Sequence, residues 1–303
     1  MRGLGARAAV LAACFSGLLL PFFLVARPWY RSWGADQTLR TAALPGDNLL
    51  WLGRPRETRA VLIHAPASHV WPWVAQIGQD RGGFYSYEIL ENLVGCKMKN
   101  LDYLIPALQH WQEGNKLWMY PPDRAGGVGQ APLARYDPGH ALVFYTRRPG
   151  TALTDQPDGT WAFVVEPIDS ETSRLIMRGR GRGSLGLLGA SFEQSVFEPI
   201  HFAMERKMMD GIKTRAEDRP VSEARDNVQV LLWVLTFALF ITSAILVLQG
   251  RGWHWHAITF TAAGLLFAVL TLLQPSVFLG VPLVALLGLG TLAKVRRRVY
   301  GAP

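Results

Sequence analysis

The stretch that decides the fold covers residues 58–95 and reads TRAVLIHAPASHVWPWVAQIGQDRGGFYSYEILENLVG. Its opening is rich in β-branched and apolar residues, which predicts a strand at Thr58–His64. Ser68 is a suitable cap for a helix that runs to about Gln79 with its apolar side chains on one face. A second, shorter helix is expected from Tyr87 to Leu93. The order strand, helix, helix therefore opens a domain that mixes α and β structure.

Strand patterns recur after this opening, and period-two alternation marks the last of them. The expected strands are Lys116–Tyr120, His140–Arg147, Thr160–Glu166 and Arg174–Arg182. A long helix is predicted at Glu193–Glu217, where Pro199 is expected to bend or restart it. An i, i+4 stripe along it consists of Phe192, Val196, Ile200, Met204, Met208 and Ile212. An antiparallel sheet needs such a helix to cover one face, and the space between them is where we expect an apolar pocket.

Four uncharged or nearly uncharged segments lie outside this domain, one before it and three after it. They are Ala8–Ala26, Val228–Gln249, Trp253–Leu273 and Ser276–Ala293. A membrane span needs about 20 apolar residues, and segments of this kind leave no polar face for water. We therefore predict an integral, multi-pass protein of the cell membrane with four transmembrane α-helices.

The first segment has rival interpretations. Arg2 and Arg7 before an apolar run are typical of a cleavable signal peptide, and the residues that end at Cys14 match a lipoprotein signal. Both cleavage signals are weak, which favours an uncleaved anchor. The cluster of basic residues after Ala293 favours an extracytoplasmic domain, whereas Arg27 and neighbouring arginines favour the opposite side.

Composition narrows the partners. The net charge of +8 is spread over the domain and the membrane flanks, where basic residues reflect topology and anionic lipids. No nucleic-acid motif and no cofactor motif is present, so the expected partners are a hydrophobic small molecule or lipid and the membrane, with no cofactor. Cys14 and Cys96 are too few and too far apart to indicate a disulfide framework or a metal site.

Several blocks resemble one superfamily. They are residues 58–95 together with WGADQTLRTAALPGD, NLDYLIPALQHWQEGN, TWAFVVEP, TSRLIMRGRGR and FEPIHFAMERKMMDGIKTRAE. Taken in chain order, these blocks resemble the SRPBCC superfamily, the group of START, polyketide cyclase and Bet v 1-like domains, over roughly Trp33–Glu217. The resemblance implies an α+β helix-grip fold, in which a curved antiparallel sheet wraps a long C-terminal helix. It also implies a cavity for hydrophobic molecules. It does not assign catalytic residues.

The domain organisation follows from these segments. We expect an N-terminal transmembrane anchor at 1–27, a linker at 28–56, the helix-grip domain at 57–217, a linker at 218–227, a three-helix transmembrane region at 228–298 and a tail at 299–303.

The site residues are predicted from their positions in this domain. Candidates for the ligand pocket are Trp73, Tyr85, Tyr87, Trp118, Phe144, Phe163, Met177, Ile200, Met204 and Met208. Candidates for acid–base chemistry are His201, Glu205, Glu91 and Tyr85. For His201 and Glu205 the spacing favours an ordinary pair on the helix surface over this role. Arg178, Arg180 and Arg182 share one strand face, which we interpret as solvated.

Three functions are compatible with this organisation. The leading one is a membrane-tethered domain that binds or carries a hydrophobic small molecule or lipid. The second is an enzyme of the polyketide cyclase or dehydratase kind that uses the same cavity. The third is a non-catalytic protein for sensing or assembly in the membrane.

Overall fold

A computed structural model describes residues 2–50, 54–123, 129–147, 157–181, 187–250 and 252–299. The chain divides into two compact units. One comprises Met1–Pro28 and Ser222–Pro303, and the other comprises Trp29–Val221. The predicted tail lies almost entirely outside the described residues, as do Arg182 and residues 148–156.

The first unit consists of helices. They are α1 (Arg2–Pro21), α8 (Glu223–Gln249), α9 (Trp253–Ala268) and α10 (Val277–Val299), and a π-helical turn at Val269–Leu273 extends α9. Ser222 caps the start of α8, and Gly250 ends it in the left-handed conformation. Phe240 and Phe260 stack at 4.2 Å between α8 and α9.

Three helices are long and apolar enough to cross a membrane. They are Gly3–Arg31, Glu223–Gln249 and Trp253–Leu273, and they coincide with three of the four predicted spans. The fourth prediction is wrong by this measure. The described apolar part of α10, Val277–Thr291, is a shorter apolar helix, so the described residues provide three candidate spans rather than four.

The second unit contains one antiparallel sheet of six strands in the order β1-β6-β5-β4-β3-β2. The strands are β1 (Arg54–Ile63), β2 (Lys116–Trp118), β3 (Gln130–Asp137), β4 (Ala141–Thr146), β5 (Gly159–Pro167) and β6 (Ser173–Gly181). The strand predicted at 174–182 is β6, and its alternation holds through an unbroken register with β5. The α+β class and the antiparallel sheet are confirmed.

Strand β3 is absent from the sequence predictions. Its residues, QAPLARYD, include Pro132 and show no clean alternation. Proline is normally excluded from central strands. Here β3 pairs on one side with only the three residues of β2, and its register with β4 shifts between Leu133 and Arg135. This irregular, weakly paired position tolerates the proline.

The second unit also contains six helices among its described residues. They are α2 (Arg27–Arg31), which begins just before it, α3 (Gln37–Thr41), α4 (Ala67–Ala75), α5 (Glu88–Leu93), α6 (Leu187–Phe192) and α7 (Glu198–Ala216). Of these, α4 and α7 pack on one face of the sheet. A π-helical turn at Glu193–Phe197 joins α6 to α7, and Pro199 occupies the first turn of α7. The predicted restart at Pro199 is therefore present. Met208 and Ile212 of α7 belong to the main core, but the earlier stripe residue Ile200 is 60% exposed.

The other face of the sheet is covered by residues 35–50, part of the segment predicted as a linker. Leu39 and Leu44 pack there against Val164 and Ile176. This cover corrects the prediction for Arg178, which is 2% exposed rather than solvated.

Buried Arg178 is held by many acceptors. Its Nη1 donates to Asp47 Oδ2 at 2.6 Å and to the carbonyl of Ala42 at 2.8 Å. Its Nη2 donates to the carbonyl of Leu39 at 2.7 Å, and its Nε donates to Thr58 Oγ1 at 3.1 Å. These hydrogen bonds tie residues 36–47 to the sheet. They also offset the cost of burying the guanidinium, which would be high without partners.

Candidate functional site

A cavity of about 150 Å³ opens inside the second unit, where α7 crosses the sheet. Side chains from β5, α5, α7 and two connecting segments line it. They are Phe84, Ser86, Glu91, Met119, Trp161, His201, Met204, Glu205 and Met208. Five of these nine are apolar, so the cavity is an apolar chamber with a few polar groups at defined points.

Aromatic and thioether groups form the apolar wall. Phe84 stacks on Trp161 with ring centroids 6.3 Å apart, and Trp161 is 8% exposed. Met208 is buried, whereas Met119 is 37% exposed and therefore reaches solvent. Methionine adapts its shape to irregular spaces, which suits a wall that accepts an apolar guest.

Glu205 lies in the wall as half of a buried ion pair. Its Oε2 pairs with Arg59 Nη1, and both side chains are 2% exposed. Its Oε1 accepts a hydrogen bond from Trp161 Nε1 at 2.7 Å. Glu205 is therefore no surface residue of α7, and both of its carboxylate oxygens have partners.

Arg59 connects this wall to the start of the unit. Its Nε donates to the carbonyl of Tyr30 at 2.9 Å, and its guanidinium lies 5.0 Å from the Phe202 ring centroid. Phe202 in turn stacks on Tyr30 at 5.2 Å. Burial lowers the pKa of Arg59 from its usual value. The ion pair and these rings together form one wall of the cavity.

Glu91 is in a different situation. It projects from α5 into the cavity, and its Oε2 is buried. Among the described residues, no hydrogen-bond partner lies within reach of that oxygen. Desolvation, with Glu88 as a second cause, raises the pKa of Glu91 to about 8. At neutral pH the group is therefore mostly a neutral carboxylic acid, which has a proton to donate.

The remaining polar groups of the lining are engaged. Ser86 Oγ donates to the carbonyl of Met204 at 2.9 Å. The imidazole of His201 stacks on Phe197 at 5.5 Å and lies 6.0 Å from the Trp161 ring. His201 is half-buried and, like Glu205, lines the cavity.

The predicted pocket residues divide into two groups. Met204 and Met208 line the cavity, as do the acid–base candidates His201, Glu205 and Glu91. The others lie outside its lining: Trp73, Tyr85, Tyr87, Phe144, Phe163 and Met177 are core residues, Trp118 is half-buried and Ile200 is exposed.

Tyr85 is enclosed behind the cavity. Its φ of 56° is in the left-handed region, and Arg215 lies 4.7 Å from its ring centroid. Burial raises the pKa of its hydroxyl. Its backbone packs directly against Gly211 of α7, where a Cβ would lie 2.8 Å from Tyr85 Cβ. Tyr85 is therefore a structural residue that joins the loop after α4 to the long helix.

Side-chain hydrogen bonds help to fix the segment between α4 and β2. Asn100 Oδ1 accepts from Tyr85 N at 2.6 Å, and Asn100 Nδ2 donates to the carbonyl of Ser86 at 3.0 Å. Glu88 Oε2 accepts from Asn100 N at 2.9 Å, and Asn92 bonds both backbone groups of Met98. These bonds explain Glu88 and Asn92 without a ligand, and they leave Glu91 as the carboxylate of α5 that faces the cavity.

Four lining residues were not predicted from the sequence: Phe84, Ser86, Met119 and Trp161. The alternation in β5 places Trp161 and Phe163 on one face, so Trp161 was accessible to the same reasoning that selected Phe163. Phe84 and Ser86 lie in a connection that shows no periodic pattern, and Met119 lies within the strand predicted at Lys116–Tyr120, just after the observed end of β2.

In the described part of the chain, no group of three or more histidine, cysteine, aspartate or glutamate residues is arranged to hold a metal ion. Cys96 is buried, and burial beside Glu91 raises the pKa of its thiol. The chemistry that the cavity itself offers is apolar packing and hydrogen bonding.

Comparison with known proteins gives distant structural neighbours only. No protein-family profile and no curated protein matches the chain. A Thermobifida fusca protein solved in solution matches 54% of this chain and 96% of its own, with 17% identity and a TM-score of 0.34. A Mesorhizobium loti protein matches 55% of this chain and 100% of its own, with 12% identity and a TM-score of 0.30.

A third neighbour is norcoclaurine synthase from Thalictrum flavum, solved in complex with dopamine and hydroxybenzaldehyde. It matches 62% of this chain and 100% of its own, with 12% identity and a TM-score of 0.32. At TM-scores below 0.5, these likenesses establish neither a family nor a function.

Proposed function

We propose that the Trp29–Val221 unit is a helix-grip domain that binds a small hydrophobic molecule in the cavity beneath α7. The observation that carries this proposal is the apolar lining around a few polar groups. Concave apolar sites with few convergent polar groups are the usual form of ligand pockets. Filling the chamber would also remove the cost of an unfilled space in the core.

The size of the cavity sets the size of the guest. Its volume of about 150 Å³ is similar to that of an apolar cavity known to admit benzene, and it is below the ~300–1,000 Å³ of drug-sized pockets. The chamber therefore suits one ring or the end of a longer chain. The rest of a long ligand would leave past Met119 or over the exposed apolar residues of the π-helical turn, Val196 and Phe197.

Membrane tethering gives such a pocket a source of ligand. Three helices of the chain are apolar and long enough to cross a bilayer. A covalent tether raises the effective concentration of the domain at the membrane, where apolar molecules accumulate. The proposed role is thus to take up or present a hydrophobic molecule at the cell membrane.

Catalysis in the same cavity is the second candidate, and Glu91 favours it. A carboxylic acid with a raised pKa inside an apolar chamber is a typical general acid. A cyclase- or dehydratase-like reaction would use that proton. If Glu91 is a general acid, the Glu91→Gln variant should turn over substrate more slowly than the wild type while still binding it. Equal turnover in the variant and the wild type would exclude this role.

The methionines provide the binding assay. The chain has seven, and Met119, Met204 and Met208 line the cavity whereas Met98 and Met177 do not. The full chain, labelled with ¹³C at the methionine methyl groups and held in lipid nanodiscs, is titrated with acetophenone and with α-methylstyrene. We expect saturable shifts at the three lining methionines and none at the other two.

A matched pair of variants tests the location. Met204→Trp fills the chamber and should abolish the shifts of Met119 and Met208. Ile200→Trp adds the same ring one turn earlier on α7, at a residue that is 60% exposed and outside the lining, and should leave them unchanged. Shifts that survive Met204→Trp, or the absence of saturable shifts with both probes, would overturn the proposed site.

A further inference from the structure

The polar groups of the cavity indicate what kind of molecule it accepts, an inference that rests on the proposed binding function. Ser86 Oγ is occupied by the carbonyl of Met204, and both carboxylate oxygens of Glu205 are occupied by Arg59 and Trp161. Two buried oxygens of the lining have no hydrogen-bond partner among the described residues, and of these Glu205 Oε2 is ion-paired with Arg59 whereas Glu91 Oε2 has no ion pair shown.

A buried polar atom without a partner is costly, so the bound state is expected to supply one. We propose that Glu91 is the hydrogen-bond donor of the site and that the ligand is a compact, uncharged molecule whose buried end carries an acceptor, such as a ketone, aldehyde or ether oxygen. The carboxylic acid donates a hydrogen bond to that oxygen, and the apolar wall contacts the ring or chain behind it.

The charges around the cavity disfavour an anionic ligand. Glu91, Glu88 and Glu205 are the acidic groups at or beside it, and the positive charge of Arg59 is spent on Glu205. Among the lining residues that the structure describes, an anionic head would therefore meet carboxyl groups and no lysine or arginine. An uncharged acceptor instead matches the neutral acid, which desolvation stabilises over its anion.

Other titratable groups near Glu91 must be separated from it. They are Glu88 on the same helix, Cys96 in the following segment, and His201 and Glu205 on α7. The experiments are run at pH 7 and at pH 9.5. Burial raises the pKa of the Cys96 thiol, which reduces its ionisation in the same range.

The test uses the two probes already introduced, which have nearly the same shape. Acetophenone has a carbonyl oxygen where α-methylstyrene has a methylene group. In the full chain at pH 7 we expect acetophenone to bind about two- to tenfold more tightly, the usual net contribution of one hydrogen bond. At pH 9.5, above the pKa of about 8, the carboxyl group of Glu91 is mostly ionised, and the preference should disappear.

Two variants assign the effect to one side chain. Glu91→Gln carries a neutral amide that donates at every pH, so its preference for the ketone should persist at pH 9.5. Glu88→Gln should behave like the wild type at pH 7 but lose the preference at lower pH than the wild type does, because the charge of Glu88 contributes to the raised pKa of Glu91.

The outcomes distinguish this inference from the proposed function. If α-methylstyrene binds at the lining methionines but the ketone shows no preference at pH 7, or one that persists at pH 9.5, Glu91 is not the donor and only the inference fails. Tighter binding of protonated 1-phenylethylamine than of acetophenone would also overturn it, in favour of a cationic ligand. If neither neutral probe binds, the proposed function itself fails.

Discussion

Breaking the ion pair between Arg59 and Glu205 is expected to destabilise the second unit strongly. Each side chain is 2% exposed, so water cannot replace a lost partner. Leaving one buried charge unpaired costs about 3–5 kcal/mol. We expect that loss in the free energy of unfolding for Arg59→Met and for Glu205→Gln, although the glutamine can still accept the hydrogen bond from Trp161.

The double variant carries the diagnostic information. With both charges absent, no unpaired ion remains, and we expect the double variant to lose about 2 kcal/mol less than the sum of the two single variants. The measurement is pulse proteolysis of the full chain in detergent micelles across a urea series, with cleavage of the Trp29–Val221 unit as the signal.

An exposed ion pair on the same sheet provides the control. Arg174 and Glu166 face each other between β6 and β5 at 3.8 Å, and their side chains are 32% and 33% exposed. Removing either charge there should cost less than about 1 kcal/mol. If Glu205→Gln and Glu166→Gln proved equally stable, the reasoning about burial of the Arg59 pair would be refuted.

Three further changes have expected outcomes. Gly211→Ala should destabilise the domain by about 1–3 kcal/mol despite the better helix propensity of alanine, because the new Cβ meets the backbone of Tyr85; a rise in thermal stability would contradict this contact. Asp47→Asn should cost about 1–3 kcal/mol and speed amide exchange in residues 36–47, because Arg178 loses its carboxylate partner; unchanged exchange would exclude this role of Arg178. For Glu91, the folded pKa of about 8 lies above the ordinary 4.5, so the folded state binds more protons and stability must fall as pH rises from about 4.5 to 8. Glu91→Gln should remove that slope in urea midpoints measured across the range, and a slope that remained would assign it to another group.

The periodic parts of the fold could be predicted from sequence. The strand at Thr58–His64, the alternation in β5 and β6 and the restart of the long helix at Pro199 each follow from a local pattern, and each is present. Strand β3 shows no such pattern, and its proline argues against a strand. The sheet tolerates that proline because β2, the neighbouring strand, has only three residues. Its place in the sheet depends on pairing with β4, which is a long-range property.

Burial of charge was the main quantity that sequence could not supply. Arg178 shares a strand face with other arginines, a pattern typical of solvent exposure. It is buried only because residues 35–50 cover that face. Glu205 follows the ordinary i, i+4 spacing of a helix surface, and Arg59, its partner, is 146 positions earlier in the chain. Such pairs are set by tertiary contacts.

The cavity was predicted in kind but only partly in detail. The gap between the sheet and the long helix exists, and Met204, Met208, His201, Glu205 and Glu91 line it. The aromatic candidates from the strands fill the core instead, because their side chains meet α4 and each other rather than open space. A strand face alone does not specify which of its residues border a void.

The side-chain bonds that fix the segment between α4 and β2 have an evolutionary consequence. Asn92 and Asn100 hold this wall of the chamber independently of the sheet ladder. Exchanges at Phe84, Ser86 or Glu91 can therefore alter what the chamber accepts while the strand register stays intact. Lineages that share this scaffold are free to diverge in ligand choice through a few substitutions in one connection, and a protein engineer would begin at the same three positions.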